Sequence, residues 1–266
     1  MSLTTTKGKN NELIAYHYPS KQEIYRIMDS DDVDFETGEL KKIKKNGSTK
    51  MRIMDKKESF FPAIHDWDED NMNQRIYVTG KSGSGKSYHF IRPYIEHYHK
   101  KFPKNDVYLF SSKLEDPALD DLKYLKRVDI DEDILENPVD IRQLKNSLLV
   151  FDDIEDFKHK KLTKEILRLL EEVLKNGRSM NIYCVYTHHQ PTDYKNTRLQ
   201  LFESTGIVIF PKSKVGGKHD YDYLLDKYIP LSKVNKNIIK NTDSKFVYIT
   251  KTNPNIIISD KYILTE

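Results

Sequence analysis

The chain has one cysteine, Cys184, so no internal disulfide is open to it and packing alone must hold the fold. Cys184 falls inside the apolar-rich run Ile182 to Tyr186, which predicts a buried thiol in a reducing compartment. No stretch approaches the roughly 18 to 20 apolar residues of a membrane span. The opening Met-Ser-Leu-Thr-Thr-Thr-Lys lacks the apolar core of a signal peptide, so the expectation is a soluble, intracellular protein with no membrane span. A dominant charge is missing too: 44 Lys+Arg against 41 Asp+Glu leave a net charge of +3, so any nucleic-acid contact must come from the distribution of charge, not its total. No internal repeat is visible. The 266 residues are enough for one full α/β core with an extension.

What is present is organised around Arg75-Ile-Tyr-Val-Thr-Gly80-Lys-Ser-Gly-Ser-Gly-Lys-Ser-Tyr88. Gly80, four residues, then Gly85-Lys86-Ser87 is a complete phosphate-binding loop. The β-prone Ile76 to Val78 leads into it, and a helical pattern from Ser87 to Lys101 follows. Glycines let such a loop close into a nest whose N–H groups, with the helix N-terminus, point at phosphate oxygens. The spacing assigns the nucleotide to Gly80, Lys81, Ser82, Gly83, Ser84, Gly85, Lys86, Ser87 and Tyr88. Lys86 reaches the β and γ phosphates and Ser87 ligates Mg²⁺.

Upstream, residues 1–60 are polar, lysine-rich and weakly patterned, an accessory arm ahead of a core domain at 61–266. A marginal hairpin is expected around Thr37-Gly38, and Lys41, Lys42, Lys44 and Lys45 read first as a solvated face. The aromatic patch Phe60 to Trp67 is expected to cover the core. Downstream, Phe90, Ile91, Tyr94, Ile95 and Tyr98 recur at helical spacing until Pro103. A second strand follows at Asp106 to Ser111, then a short helix at Pro117 to Leu125 and a short strand at Arg127 to Ile130. The acidic segment Asp129 to Glu136 is a surface connection.

Ser147-Leu-Leu-Val-Phe-Asp152-Asp153 is an apolar strand ending in two carboxylates, a Walker B pattern. A buried parallel strand delivers its C-terminal end to the crevice that holds the phosphate loop, so Asp152 holds Mg²⁺ through water and Asp153 is the general base, with Glu155 or Asp156 as substitutes. Leu162 to Asn176 is an amphipathic helix stopped at Gly177, a residue free to take positive φ. The strand Asn181 to Thr187 then ends in His188-His189-Gln190-Pro191, where Gln190 orients water or senses the γ phosphate. The two histidines suggest zinc weakly, since neighbours on a strand face opposite ways and nothing completes a ligand set. Asp193 to Phe202 reads as a short helix and Gly206 to Phe210 as a fifth strand. Pro211 to His219 is a flexible cationic loop whose Lys212, Lys214 and Lys218 can follow a DNA backbone without reading bases. Tyr221 to Tyr228 is helical, and Lys245–Thr250 with Ile256–Ser259 form a terminal hairpin.

The order of these strands resembles the RecA-like additional-strand (ASCE) P-loop NTPases: an α/β fold with a mainly parallel sheet flanked by helices, here with an N-terminal extension and a C-terminal β-hairpin. Gly177-Arg178, an apolar strand and Gln190 resemble the signature of the FtsK–HerA DNA-pumping ATPases. Gly80–Ser87, Val150-Phe-Asp-Asp153, Thr187-His-His-Gln190 and Ile209-Phe-Pro-Lys212 together resemble the poxvirus-type genome-packaging ATPases of large DNA viruses and virophages, over about residues 74 to 212. The resemblance implies an ATP- and Mg²⁺-dependent hydrolase, with Lys86, Asp153, Arg178 and Gln190 catalytic and Arg178 acting in trans. It implies a homo-oligomeric ring, a hexamer, that feeds double-stranded DNA into a capsid at a portal vertex, in the host-cell cytoplasm (viral factory) or the virion. The chain departs from terminases in having no room for a nuclease domain, and from bacterial chromosome pumps in having no winged-helix reader. The competing readings are another RecA-like or AAA-type ATPase such as a helicase loader, a nucleotide-binding module without hydrolysis, or a P-loop small-molecule kinase. The kinase reading is disfavoured because no arginine-rich lid is visible.

Overall fold

The computed structural model describes residues 3–8, 11–27, 50–52, 57–65, 73–157, 159–193, 197–212, 218–252 and 255–265. The first strands are β1 (Leu3–Thr4), β2 (Asn11–Tyr18), β3 (Gln22–Ile27), β4 (Lys50–Arg52) and β5 (Ser59–Pro62). All but β4 form a four-stranded sheet in the order β1-β3-β2-β5, antiparallel throughout. Then come β6 (Arg75–Thr79), α1 (Arg92–Lys101), β7 (Asp106–Ser111), β8 (Leu125–Arg127), α2 (Asp133–Glu136), β9 (Ser147–Asp152), α3 (Lys160–Asn176), β10 (Ile182–His188), α4 (Arg198–Glu203) and β11 (Gly206–Ile209). The chain continues through α5 (Lys218–Lys227), α6 (Lys233–Asn241), β12 (Val247–Thr250), β13 (Ile256–Ser259) and β14 (Tyr262–Thr265).

These build a ten-stranded sheet in the order β4-β14-β13-β12-β11-β6-β10-β9-β7-β8. From β11 to β8 the strands run parallel, and from β12 to β4 they are antiparallel. The strand β10 lies between the phosphate-loop strand β6 and the Walker B strand β9, which is the additional-strand arrangement implied by the resemblance. Every residue of β9 and β10 is buried, as central parallel strands covered on both faces require. Period-2 alternation sorts β6: Ile76 and Val78 join α1 and the N-terminal sheet, while Tyr77 joins the face covered by α3 and α4. In α3, Leu162, Ile166, Leu169, Leu170, Val173 and Leu174 form the buried stripe.

Several local expectations are corrected. The helix after the phosphate loop starts with a wide π turn, Ser87–Ile91, before α1. Pro93 has no N–H to donate to His89, and the wider turn absorbs that loss. Gly177 does not take positive φ; the chain continues through a 3₁₀ turn, and Asn181 (φ 54) is the left-handed residue instead. What Gly177 provides is space, since a Cβ there would sit 3.3 Å from Ile182 Cβ. Pro117 to Leu125 is a series of turns, and the short strand is Leu125–Arg127. Among the described residues, the helix expected from Asp193 runs over Arg198–Glu203. The C-terminal hairpin gains a third strand, β14, and pairs with β4; α6 was not foreseen.

Leu3–Thr4, Asn11–Tyr18 and Gln22–Ile27 are paired strands, and Leu3, Ile14, Phe60 and Phe61 pack in one cluster with Phe90 and Phe246 of the core. Thr37-Gly38 and Trp67 lie outside the described residues. No helix among the described residues is long and apolar enough to cross a membrane.

Candidate nucleotide-binding site

The sheet register brings the motifs together. β6 ends at Thr79 opposite His188 of β10, and Gly80 N–H donates to the His188 carbonyl at 3.2 Å, tying the phosphate loop to the neighbouring strand. Ser111 of β7 pairs with Asp152, so the segment leaving β7 runs beside the acidic end of β9. Within the loop, Gly83 (φ 74) and Gly85 (φ 88) are left-handed. A Cβ at Gly80 would meet Ser84 Oγ at 2.8 Å and Phe210 Cβ at 3.1 Å, so the turn closes only with glycine there.

Lys86 is buried, and its ammonium donates to the Gly80 carbonyl at 2.8 Å and the Lys81 carbonyl at 3.4 Å. It also lies 3.4 Å from His189 Nδ1, while His189 Nε2 is 3.1 Å from Asp153 Oδ1, so the ring links lysine to carboxylate. Asp152 and Asp153 are both buried. The Lys113 ammonium meets both, at 2.9 Å from Asp152 Oδ2 and 2.5 Å from Asp153 Oδ2. Thr187 Oγ donates to Asp152 Oδ1 at 2.9 Å and accepts the Asp153 N–H at 3.0 Å. Asp153 is itself left-handed (φ 50), which turns the chain sharply at the strand end. Burial pushes the Asp153 carboxyl up, but contact with Lys113 and the charges of Lys86 and His189 outweigh it and hold it below the usual range. Lys113 shows the converse: burial lowers it, yet the two carboxylates raise it above an ordinary lysine.

Glu155 faces another way. Its carboxylate is 3.1 Å from His188 Nδ1, and that contact, against the opposing effect of burial, holds it low. His188 is buried, stacks on Tyr77 at 5.1 Å and reaches Gln200 of α4 through Nε2. Neither histidine is arranged with the other about a common point: one braces α4, the other faces the site. The Tyr77 hydroxyl donates to the backbone carbonyls of Gln190 (3.1 Å) and Pro191 (3.2 Å), fixing the turn that carries Gln190.

Ser87 Oγ donates to Asp116 Oδ2 at 3.0 Å. Arg92 clamps the same turn, donating to Asp121 at 2.5 and 2.9 Å and to the Ala118 carbonyl at 2.9 Å. Lys113 and Asp116 were missed in the sequence. Their only signal was position, just beyond a strand that the additional-strand order places next to Walker B.

Other sequence candidates lie apart. Tyr88 and Gln190 are solvent-exposed near the loop. Arg178 is exposed ahead of β10, at the opposite end of the sheet from the loop. Lys212 is exposed beyond β11; Lys214 and the Lys218 side chain lie outside the described residues.

The residues fit a nucleoside triphosphate. Ser84 Oγ and Thr79 Oγ, at the loop, are buried with no hydrogen-bond partner, and the left-handed glycines make the anion-binding nest. Ser87 Oγ and the Asp152 carboxylate are hard oxygen donors of the kind Mg²⁺ takes beside substrate phosphates.

Strand order, phosphate loop and acidic strand end define a RecA-like P-loop NTPase fold, and Gly177-Arg178 and Gln190, the residues that carry the resemblance to the FtsK–HerA ATPases, flank β10. The chain belongs to the family of uncharacterized protein V3 of Sputnik virophage, to which it is 37% identical over 181 residues, 67% of this chain and 71% of that protein. No family model matches it. Among solved structures it is similar to B204, the DNA-packaging ATPase from Sulfolobus turreted icosahedral virus, at 17% identity and TM-score 0.48 over 70% of this chain and 98% of that one. It is also similar to the cytoplasmic domain of the Thermomonospora curvata type VII secretion ATPase EccC, at 11% identity and TM-score 0.49 over 80% of this chain and 28% of that one.

Proposed function

We propose that the protein is an ATP-hydrolysing motor that moves double-stranded DNA into a viral capsid, working as a homo-oligomeric ring in the host-cell cytoplasm. The observation that carries the hydrolytic part is the link from Lys86 of the phosphate loop through His189 to Asp153, with a positively charged lysine, Lys113, between Asp153 and Asp152. The packaging part is supported by the Gly177-Arg178 to Gln190 signature and by the virophage relative.

In this reading the N–H groups of Gly80 to Ser87 cradle the phosphates, and Lys86 leaves the Gly80 and Lys81 carbonyls to neutralise charge on the γ-phosphoryl oxygens. Ser87 and Asp152 would hold Mg²⁺, which would supply neutralisation of phosphate charge. Asp153, ionised at neutral pH, accepts the proton of the attacking water as the bond from the γ phosphorus to the bridging oxygen breaks. Gln190, on the turn fixed by Tyr77, orients that water. Double-stranded DNA and a capsid or portal-vertex protein are the partners, with Lys212, Lys214 and Lys218 touching DNA phosphates.

The test is ATP turnover of the purified chain with and without duplex DNA. Parent turnover stimulated by duplex, and abolished by Lys86→Ala in a variant that keeps its thermal unfolding midpoint, is expected. Unchanged turnover in Lys86→Ala would remove this crevice as the hydrolytic site, and turnover indifferent to DNA would favour a remodelling ATPase.

A further inference from the structure

A cleft of about 770 Å³ opens along the sheet edge that carries the phosphate loop. Ile209 pairs with Val247, Val247 with Ser259, and Tyr262 with Arg52, so the residues beyond these ends share one edge. Lys50 and Arg52 of β4, Lys57, Lys212, Lys245 and Lys261 line the cleft. All but Lys261 are exposed. Three carboxylates, Glu58, Asp243 and Asp260, share the lining with these six cations, so its net charge is positive. Asp243 takes Lys261, Asp260 accepts the Lys245 N–H at 2.9 Å, and Glu58 lies 3.4 Å from His17 Nε2. Ile209, at the end of β11, pairs with Thr79 just ahead of the phosphate loop, so this basic edge adjoins the nucleotide crevice.

The shape of the lining selects its partner. Among the described residues its lining holds no glycine nest of the kind that grips a free nucleotide's phosphates. The described apolar members are Ile238 and Tyr262, and Tyr262 is only 6% exposed, so these residues offer neither a stacking platform for unpaired bases nor an apolar anchor for a protein. What remains is a row of flexible point charges. Four strand spacings from β11 to β4 span about 19 Å at about 4.8 Å each, room for about five phosphates of one strand at about 3.4 Å of rise.

We propose that this edge, from β11 across to β4, is a contact surface for the phosphate backbone of double-stranded DNA, with Lys50, Arg52, Lys57, Lys212 and Lys245 supplying the cations. The inference rests on the packaging reading and extends its DNA contact from one loop to the whole edge. Contact through phosphates alone is sequence-independent, as packaging any genome segment requires.

The experiment is fluorescence anisotropy of a labelled random-sequence duplex across a KCl series. Lys50→Gln, Arg52→Gln and Lys245→Gln combined should flatten the slope of log affinity against log salt by about 2.7, since each phosphate that a cation neutralises adds about 0.9 to it. Arginine at Lys50 and Lys245 should keep the parent slope. A second variant, Lys57→Gln with Lys212→Gln, should flatten it by about 1.8 by the same rule, which keeps the test open if the first misfolds. A parental slope in a variant with the parent's unfolding midpoint overturns the proposal. So does an unchanged slope with an altered native mass, which would assign the cleft to a neighbouring copy. A parent with no duplex affinity at any salt overturns the packaging reading as well.

Discussion

Lys113 places a positive charge between Asp152 and Asp153, where a divalent cation would have to compete for Asp152. Its side chain is 41% exposed, so solvent screens the pairing and the competition is worth only about 1 kcal/mol. Lys113→Met should therefore lower the Mg²⁺ concentration that half-supports binding of a fluorescent ATP analogue by about fivefold. An unchanged or higher midpoint would mean that Lys113 does not compete for the carboxylates. The two candidate bases differ in their partners. Asp153 is ionised beside Lys86 and His189, whereas Glu155 is turned to His188. Asp153→Asn should retain nucleotide affinity and lose about 10²- to 10⁴-fold in single-turnover hydrolysis, with Glu155→Gln much closer to parent; the reverse ranking would make Glu155 the base. The depressed Asp153 pKa also carries stability, present above the ordinary carboxyl range and lost as pH falls through its folded value. Asp152 and Asp153 were legible because two carboxylates ending an apolar strand are a local pattern. Lys113 and Asp116 were not, because their partners lie 39 and 29 residues away along the chain.

At the scale of elements, legibility followed burial. β9 and β10 are apolar runs buried on both faces and stand out in sequence; β2, Asn11–Tyr18, mixes polar and apolar residues and is buried fully only at Ile14 and Ala15, so its signal is weak. β14 was hidden by its short turn from β13, which leaves no cluster of turn residues to mark it. The N-terminal sheet is held to α1 by His97, whose Nε2 is 2.5 Å from the Tyr18 hydroxyl and whose ring lies 4.8 Å from that of Phe61. Burial, reinforced by Lys100, lowers His97 from 6.5 to about 4. The folded state therefore refuses a proton that the unfolded chain accepts. Stability from this site is complete above about pH 6.5 and is lost as pH falls from there towards 4, by on the order of 2 kcal/mol for a partly exposed ring. Urea midpoints at pH 7 and pH 5 check it. His97→Gln keeps a hydrogen-bonding partner for Tyr18 without a proton to take up and should reduce the difference between the two pH values; an undiminished difference would locate the acid sensitivity elsewhere.

For the molecule as a whole, the position of Arg178 determines what a single chain can do. It precedes β10, whereas the phosphate loop lies beyond the other end of that strand. Seven residues of strand separate the two ends, about 20 Å at about 3.3 Å per residue, too far for an arginine side chain to reach its own nucleotide. In the proposed ring, Arg178 would present its guanidinium to the neighbouring subunit's γ phosphate, where an arginine supplied in trans contributes about 10³ to 10⁵ in rate. Arg178→Ala should thus bind ATP normally and lose nearly all turnover. Mixing Arg178→Ala chains with Lys86→Ala chains tests the geometry. An assembly of both contains interfaces with an intact loop on one side and an intact arginine on the other, so activity absent from either variant alone should return in the mixture. Mixtures that co-assemble by native mass yet remain inactive would return Arg178 to a structural role at the base of β10.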